Sequence, residues 1–314
     1  MIARERLGML AVAACLCLPA VPHGSDSNDE DIIPGALIQK HLESIGTPER
    51  IKAVRSWGVS GKADVKFILG ASGNLTNGVF LCVSDGPKVG IRMDFEDVNY
   101  PGEYLAYDGN EVTVGHITPG QKSPLADFIF LHNAVMTEGF LGGVLSTAWP
   151  LLHIGDEKPR MILKETEVSG RRLYVLEYGT PGKRPGNMRV RLFFDKDNFH
   201  HVRTEYKVQV ADELTSVRNI VSGGINNALS TPSGMPASSA PKDTIMESQP
   251  DSIYLLVEEF DNFAVVGGLA LPLRYSLEYS LEGHGATFLA KWTVQAEYFT
   301  NNGNIDPTFF VAQK

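Results

Sequence analysis

Cysteine is scarce in this chain of 314 residues: there are three, and two of them, Cys15 and Cys17, fall within the first twenty positions. A disulfide-stapled scaffold is therefore excluded, because Cys82 alone remains to pair. Positive charge is also short, with 28 Lys plus Arg against 37 Asp plus Glu and a formal net charge of −9. No basic cluster follows the first residues, so neither a nucleic-acid partner nor tight adhesion to an anionic membrane surface is expected. Past the amino terminus, no apolar run reaches the ~18 uncharged residues of a membrane crossing. The longest apolar-rich stretch, Ser123 to Leu152, is interrupted by Asp127, His132, Asn133 and Glu138. Catalytic signatures are missing as well: no Gly-x-Ser-x-Gly elbow, no His-Glu-x-x-His helix and no Cys-x-x-Cys pair. His132 and Glu138 are six apart on an expected helix and so read as exposed polar positions on different faces. His200 and His201 are adjacent in an expected strand and point to opposite sides, which disfavours joint metal ligation. The expectation is a protein without enzymatic activity, metal or cofactor.

What is present begins with the Ser123–Leu152 stretch. Leu125, Phe128, Ile129, Val135, Met136, Phe140, Leu141, Val144, Leu145 and Trp149 recur at helical spacing and make a wide apolar stripe. Gly139, Gly142 and Gly143 fall inside it, and glycine costs a helix about 1 kcal/mol against alanine, so a helix, turn, helix arrangement is expected. Before it, Ala36 to Ile45 forms a short helix stopped by Gly46, and Thr47-Pro48 restarts a second as cap and first-turn proline.

Nearly everything else alternates with period two. Val59, Ala63, Val65 and Phe67 oppose Ser60, Lys62, Asp64 and Lys66; Val202, Thr204, Tyr206 and Val208 oppose Arg203, Glu205 and Lys207. Leu271, Leu273, Tyr275, Leu277 and Tyr279 oppose Arg274, Ser276 and Glu278, and their partner runs through Phe288, Ala290, Trp292 and Val294. Asp108-Gly109-Asn110 and Ser169-Gly170 mark hairpins, so the strands form an antiparallel meander with one dry and one wet face. The predicted fold is mainly β with α: one large curved antiparallel sheet, an unclosed barrel of about 10–11 strands, plugged by helices. A curled sheet holding a single plug leaves an apolar cavity suited to an acyl chain; the alternative is a core that packs solid.

The amino terminus, with Arg4 and Arg6 before an apolar run to about Ala20, is the pattern of a secretory signal over 1–20. Two readings stay open there: cleavage after Ala20, or lipidation of Cys15 after the small-residue box Val12-Ala13-Ala14. Residues 21–34 read as an acidic tether, 35–314 as one half-barrel domain, and 222–252, rich in Ser, Pro and Gly, as a mobile loop within it.

LIQKHLESIGTPERIKAVRSWGVSGKADV, YPGEYLAYDGNEV, GFLGGVLSTAWPLL, LFFDKDNFHHVRTEY, GGLALPLRYSLEY and the closing IDPTFF resemble bacterial envelope proteins of the lipoprotein-localisation type, the LolA/LolB-like superfamily, over roughly residues 36 to 311. The resemblance implies a helix-capped, unclosed barrel whose cavity holds lipid or lipoprotein acyl chains. The signal pattern itself places the expected protein in the periplasm, anchored to the outer membrane if Cys15 is lipidated and soluble if cleavage follows Ala20. The resemblance also implies inner- or outer-membrane partner proteins. The founding carriers are much shorter, and their lid-latching arginine has no placed equivalent here. The candidate cavity lining is Met93, Phe95, Tyr206, Tyr275, Tyr279 and Trp292 on the sheet, with Phe128, Phe140, Leu141, Leu145 and Trp149 on the plug.

Overall fold

The computed structural model describes residues 32–154, 160–179, 188–210, 252–283 and 286–312. The signal with Cys15, the tether up to residue 31, and the 222–252 loop short of its last residue lie outside the described residues.

Two helices come first, α1 (Pro34–Ile45) and α2 (Pro48–Ala53). Proline begins each, where its missing N–H is no loss, and the Thr47 hydroxyl accepts from Arg50 N to cap α2. α1 buries Leu37, Ile38, His41 and Ile45, a stripe at helical spacing.

Twelve strands follow: β1 (Ser56–Leu69), β2 (Gly73–Asp85), β3 (Lys88–Asp94), β4 (Gly102–Tyr107), β5 (Val112–Val114), β6 (Arg160–Val168), β7 (Arg171–Gly179), β8 (Arg189–Asp195), β9 (His201–Val210), β10 (Ser252–Val266), β11 (Leu269–Gly283) and β12 (Ala286–Asn301). All pairings are antiparallel, in the order β5-β4-β3-β2-β1-β12-β11-β10-β9-β8-β7-β6. The order is a cyclic meander cut at one place. First and last strands pair from Trp57 opposite Asn301 onward, and pairing of β5 with β6 would close the barrel. Between those unpaired edges runs the segment 115–159, which carries the plug.

The sheet curls round that plug. Thr147 N donates to Ser84 Oγ on β2, while Gly142 N, five residues earlier, donates to Glu258 on β10. In a flat sheet those strands, four spacings apart, would be about 19 Å from each other. Phe80 and Tyr275, on β2 and β11, bring their ring centroids to 6.2 Å across three spacings.

The expected strand count of 10–11 is thus short by β10, whose sequence IYLLVEEF places Glu258 at an inward position and spoils the alternation. The wet face is not uniformly wet either. Leu173, Val175, Phe193 and Val202 form a small second core on the face away from the plug, packed by Val168 and Phe263. A register shift between Phe193 and Phe194 turns Val202 outward while Thr204 and Tyr206 keep facing the plug, a β-bulge that period-two reading cannot foresee.

Candidate functional site

The plug is built from short pieces. α3 (Pro124–Leu131) starts at Ser123, whose hydroxyl accepts from Ala126 N at 2.9 Å; α4 (Ala134–Thr137) and single 3-10 turns at Gly143–Leu145 and Pro150–His153 complete it. The chain does break at the three glycines, all at positive φ, but the helix expected after them does not form: both α-helices precede Gly139, and only 3-10 turns follow. At Gly139 a side chain would also sit 1.9 Å from the Ala148 carbonyl oxygen, so only glycine lets the chain fold back on itself there.

Two buried glutamates hold this plug from opposite halves of the sheet. Glu103 on β4 accepts from Tyr100 OH at 2.6 Å and from Ser123 Oγ at 2.7 Å, and Tyr100 OH in turn accepts from Trp292 Nε1. Glu258 on β10 accepts from Gly142 N at 2.8 Å, Tyr275 OH at 2.7 Å and Tyr206 OH at 2.5 Å. Burial pushes both carboxyls up to about 7, with the donated hydrogen bonds opposing the shift.

A third contact comes from α1. Phe199 carbonyl oxygen accepts from His41 Nδ1 at 3.1 Å, which leaves Nε2 to accept from Trp149 Nε1 at 3.3 Å. Burial lowers His41 to about 4 and His201, stacked on Trp149 with centroids 4.6 Å apart, well below its ordinary value, so both rings are neutral at pH 7. His132, expected at the surface, is buried instead against Phe128 and Tyr254, with centroids 4.9 and 6.2 Å away, because α3 ends at Leu131 and the chain departs from the helical spacing on which its exposure was expected.

All eleven predicted lining residues lie at this interface, each no more than 7 % exposed. Tyr206 and Tyr275 meet at Glu258; Phe95 and Trp292 gather at Tyr100; Phe128 packs on Tyr279, Phe140 on Tyr206, and Trp149 on His201. Met93, Leu141 and Leu145 fill the space between. The residues missing from that set are the polar ones, Glu103, Glu258, His41 and His201. Their signal in the sequence is a titratable side chain at an otherwise apolar, inward position.

Open space lies beside the plug. A cleft of about 520 Å³ is lined by Ile45, Ile51, Lys52, Val54 and Arg55 of the amino-terminal helices and their exit, Trp57, Asp85 and Gly86 of the first hairpin, Val144, Thr147, Leu152 and His153 of the plug, and Leu269 and Leu271 of β11. None of the eleven predicted residues lines it. Its polar atoms are partly spoken for: Thr147 Oγ1 donates to Gly86 O, and His153 Nε2 donates to Thr147 O at 2.8 Å. A second hollow, about 720 Å³ on the outer face, is walled by Arg171, Arg203, Lys291, Glu259 and their neighbours. There Arg203 and Lys291 pair with Glu259, and Arg171 with Asp195. Among the described residues no cluster of His, Cys, Asp and Glu could hold a metal, and no helix is long and apolar enough to cross a membrane. The lone described thiol, Cys82, is buried and pushed up to about 12 by desolvation.

These features define an unclosed antiparallel barrel plugged by the connection between its own two edges. No family model and no curated protein matches the chain. Among solved structures it is similar over most of its length to the LolA superfamily protein NE2245 from Nitrosomonas europaea, at 12% identity, covering 89% of this chain and 98% of that one with a TM-score of 0.43. It is also similar to a putative outer membrane lipoprotein-sorting protein domain from Vibrio parahaemolyticus, at 11% identity, 87% and 97% coverage and a TM-score of 0.38. MucB in complex with MucA shares 10% identity over 86% of this chain and 99% of that one, with a TM-score of 0.21. At such scores the likenesses carry no functional weight, and the fold rests on the strand order and register themselves.

Proposed function

We propose that this chain is an exported, non-enzymatic carrier that takes the acyl chain of a lipid or lipoprotein into the cleft between its amino-terminal helices and its plug. The observation that carries the reading is the cleft itself. Its volume falls within the roughly 300–1,000 Å³ of ligand pockets, and its walls are mainly Ile, Val, Leu and Trp with a few polar groups among them. Four of its residues belong to the plug, so a chain entering there meets a segment that is irregular, glycine-broken and tied to the sheet and to α1 by a few hydrogen bonds. Displacing the plug would extend the cleft towards Leu145, Trp149 and the rest of the predicted lining. In this reading residues 1–20 send the protein to the periplasm, and lipidation at Cys15 would tether it to the outer membrane.

The test is titration of delipidated mature protein with a fluorescent fatty acid. Saturable binding is expected, and Val54→Asp or Leu152→Asp, at partly exposed positions of the cleft wall, should abolish it while leaving the fold intact. Absence of saturable binding by the parent protein overturns the reading.

A second reading, a protein-binding envelope module with a filled barrel, draws on the complete burial of the eleven lining residues and on β6, a nine-residue edge strand with Ile162 exposed. Such an edge can accept a strand from a partner. It predicts a native mass spectrum free of co-purified lipid and a partner protein crosslinked at β6.

A further inference from the structure

The rim of the cleft adds a charge requirement. Lys52 lies on α2 and Arg55 two residues past its end, where the chain is already extended; both line the cleft and both are exposed. Neither side chain has a carboxylate within 4.0 Å among the described residues, although acids outnumber bases in this chain. In the outer-face hollow, by contrast, Arg171, Arg203 and Lys291 pair with Asp195, Glu205 and Glu259. In the cleft the acid among the lining residues is Asp85, paired across the first hairpin with Ser56 and so next to Arg55 in space, one acid to two cations. Glu49, three residues before Lys52 on α2, interacts with that ammonium through space. With no carboxylate in contact with either cation among the described residues, however, an apolar trough bordered by the two is complementary to an amphiphile whose head is an anion.

We infer that the cleft selects a single-chain lipid with an anionic headgroup, carboxylate or phosphate, whose head is held by Lys52 and Arg55 while its tail lies along Val54, Trp57, Leu152 and Leu271. This rests on the acyl-binding reading and narrows it. A space of about 520 Å³ suits one acyl chain and not the three of a triacylated lipoprotein amino terminus. The overall negative charge is no obstacle, because recognition of one head by two nearby cations is local, and distant charges are screened within about 10 Å at ordinary ionic strength.

The inference is tested with three C16 probes, hexadecanoate, hexadecyl phosphate and hexadecanol, each displacing the uncharged reporter 1-aminoanthracene at pH 8 in low salt. The two anions should bind about tenfold or more tightly than the alcohol, since charge-assisted hydrogen bonds are roughly twice as strong as neutral ones. The double variant Lys52→Gln/Arg55→Gln, at exposed positions, should bring that ratio close to one with hexadecanol affinity unchanged. Asp85→Asn should tighten the anions about two- to fivefold, and added salt should weaken them in the parent protein. Preference for the phosphate over the carboxylate would assign a phospholipid-type head, and the reverse a free fatty acid. If the alcohol binds as well as the anions, or the ratio survives in the double variant, the charge requirement falls while acyl binding stands. If no probe displaces the reporter saturably, the acyl reading falls and this inference with it.

Discussion

The underside of the plug and the cleft beside it share residues of the same short segment, yet they are opposite kinds of surface. Under the plug Trp149, Phe140, Leu141 and Leu145 are buried, and the buried carboxylates are satisfied by hydroxyl and amide donors. In the cleft, a few residues away, Val144 and Leu152 line open space, and Lys52 and Arg55 are exposed with no carboxylate within 4.0 Å among the described residues. Full packing with satisfied polar groups is what stability requires. Unfilled volume with unspent charge is what binding requires. The contrast separates what holds the molecule together from what it offers to a ligand.

The largest way to break the contrast is at Trp149. Trp149→Ala removes a fully buried indole together with its bond to His41, and should cost about 3–5 kcal/mol in denaturant unfolding. If it costs less than about 1 kcal/mol, the underside of the plug is not the packed region described. Next comes Glu258→Ala, which strands the Gly142 amide and two tyrosine hydroxyls and should cost about 2–4 kcal/mol; Glu258→Gln, which keeps acceptor capacity, should cost less.

The pH dependence of stability sharpens the same point. Glu103 and Glu258 keep their protons up to about 7 when folded but release them near 4.5 when unfolded, so stability falls as pH rises through that window. His41, lowered to about 4, and His201 have the reverse effect: the unfolded chain binds protons that the folded one refuses, so stability rises with pH up to about 6.5. The two pairs oppose each other from about 4.5 to 6.5, and the carboxylates act alone above that. Thermal unfolding should therefore show Tm decreasing between about pH 6.5 and 8, with the decrease reduced in Glu258→Gln. A Tm that climbs over that interval would contradict two neutralised buried glutamates. The smallest expected effect on stability is in the cleft: Leu152→Asp, at a half-buried position, should shift unfolding by no more than about 1 kcal/mol while fatty-acid binding is lost.

Local pattern was enough for most of the fold. Thr47-Pro48 restarts the second helix, Asp108-Gly109-Asn110 turns β4 into β5, and inward Tyr275, Leu277 and Tyr279 are all buried, because caps, turns and period-two faces depend on a few neighbouring residues. β10 escaped because Glu258 is tolerated inward only through donors from β9, β11 and the plug, none of them near it in the chain. Val202 was assigned to the wrong face because the bulge beside it depends on its partner strand. For the site, the sequence singled out the plug and the aromatics that meet it. The cleft was hidden, since it joins Ile45, Trp57, Leu152 and Leu271, which come together only when α1, the first hairpin, the plug and β11 are all in place.

By itself, then, the sequence determined an antiparallel meander with a helical interruption, because strand alternation and turn chemistry are short-range properties. Tertiary structure alone decided that the meander closes through its first and last strands and opens at β5 and β6, that the eleven expected lining residues are buried, and that an apolar cleft lies next to Lys52 and Arg55. Whether apolar residues from distant segments fill a space or merely border it depends on how those segments are placed in three dimensions, and no local pattern carries that information.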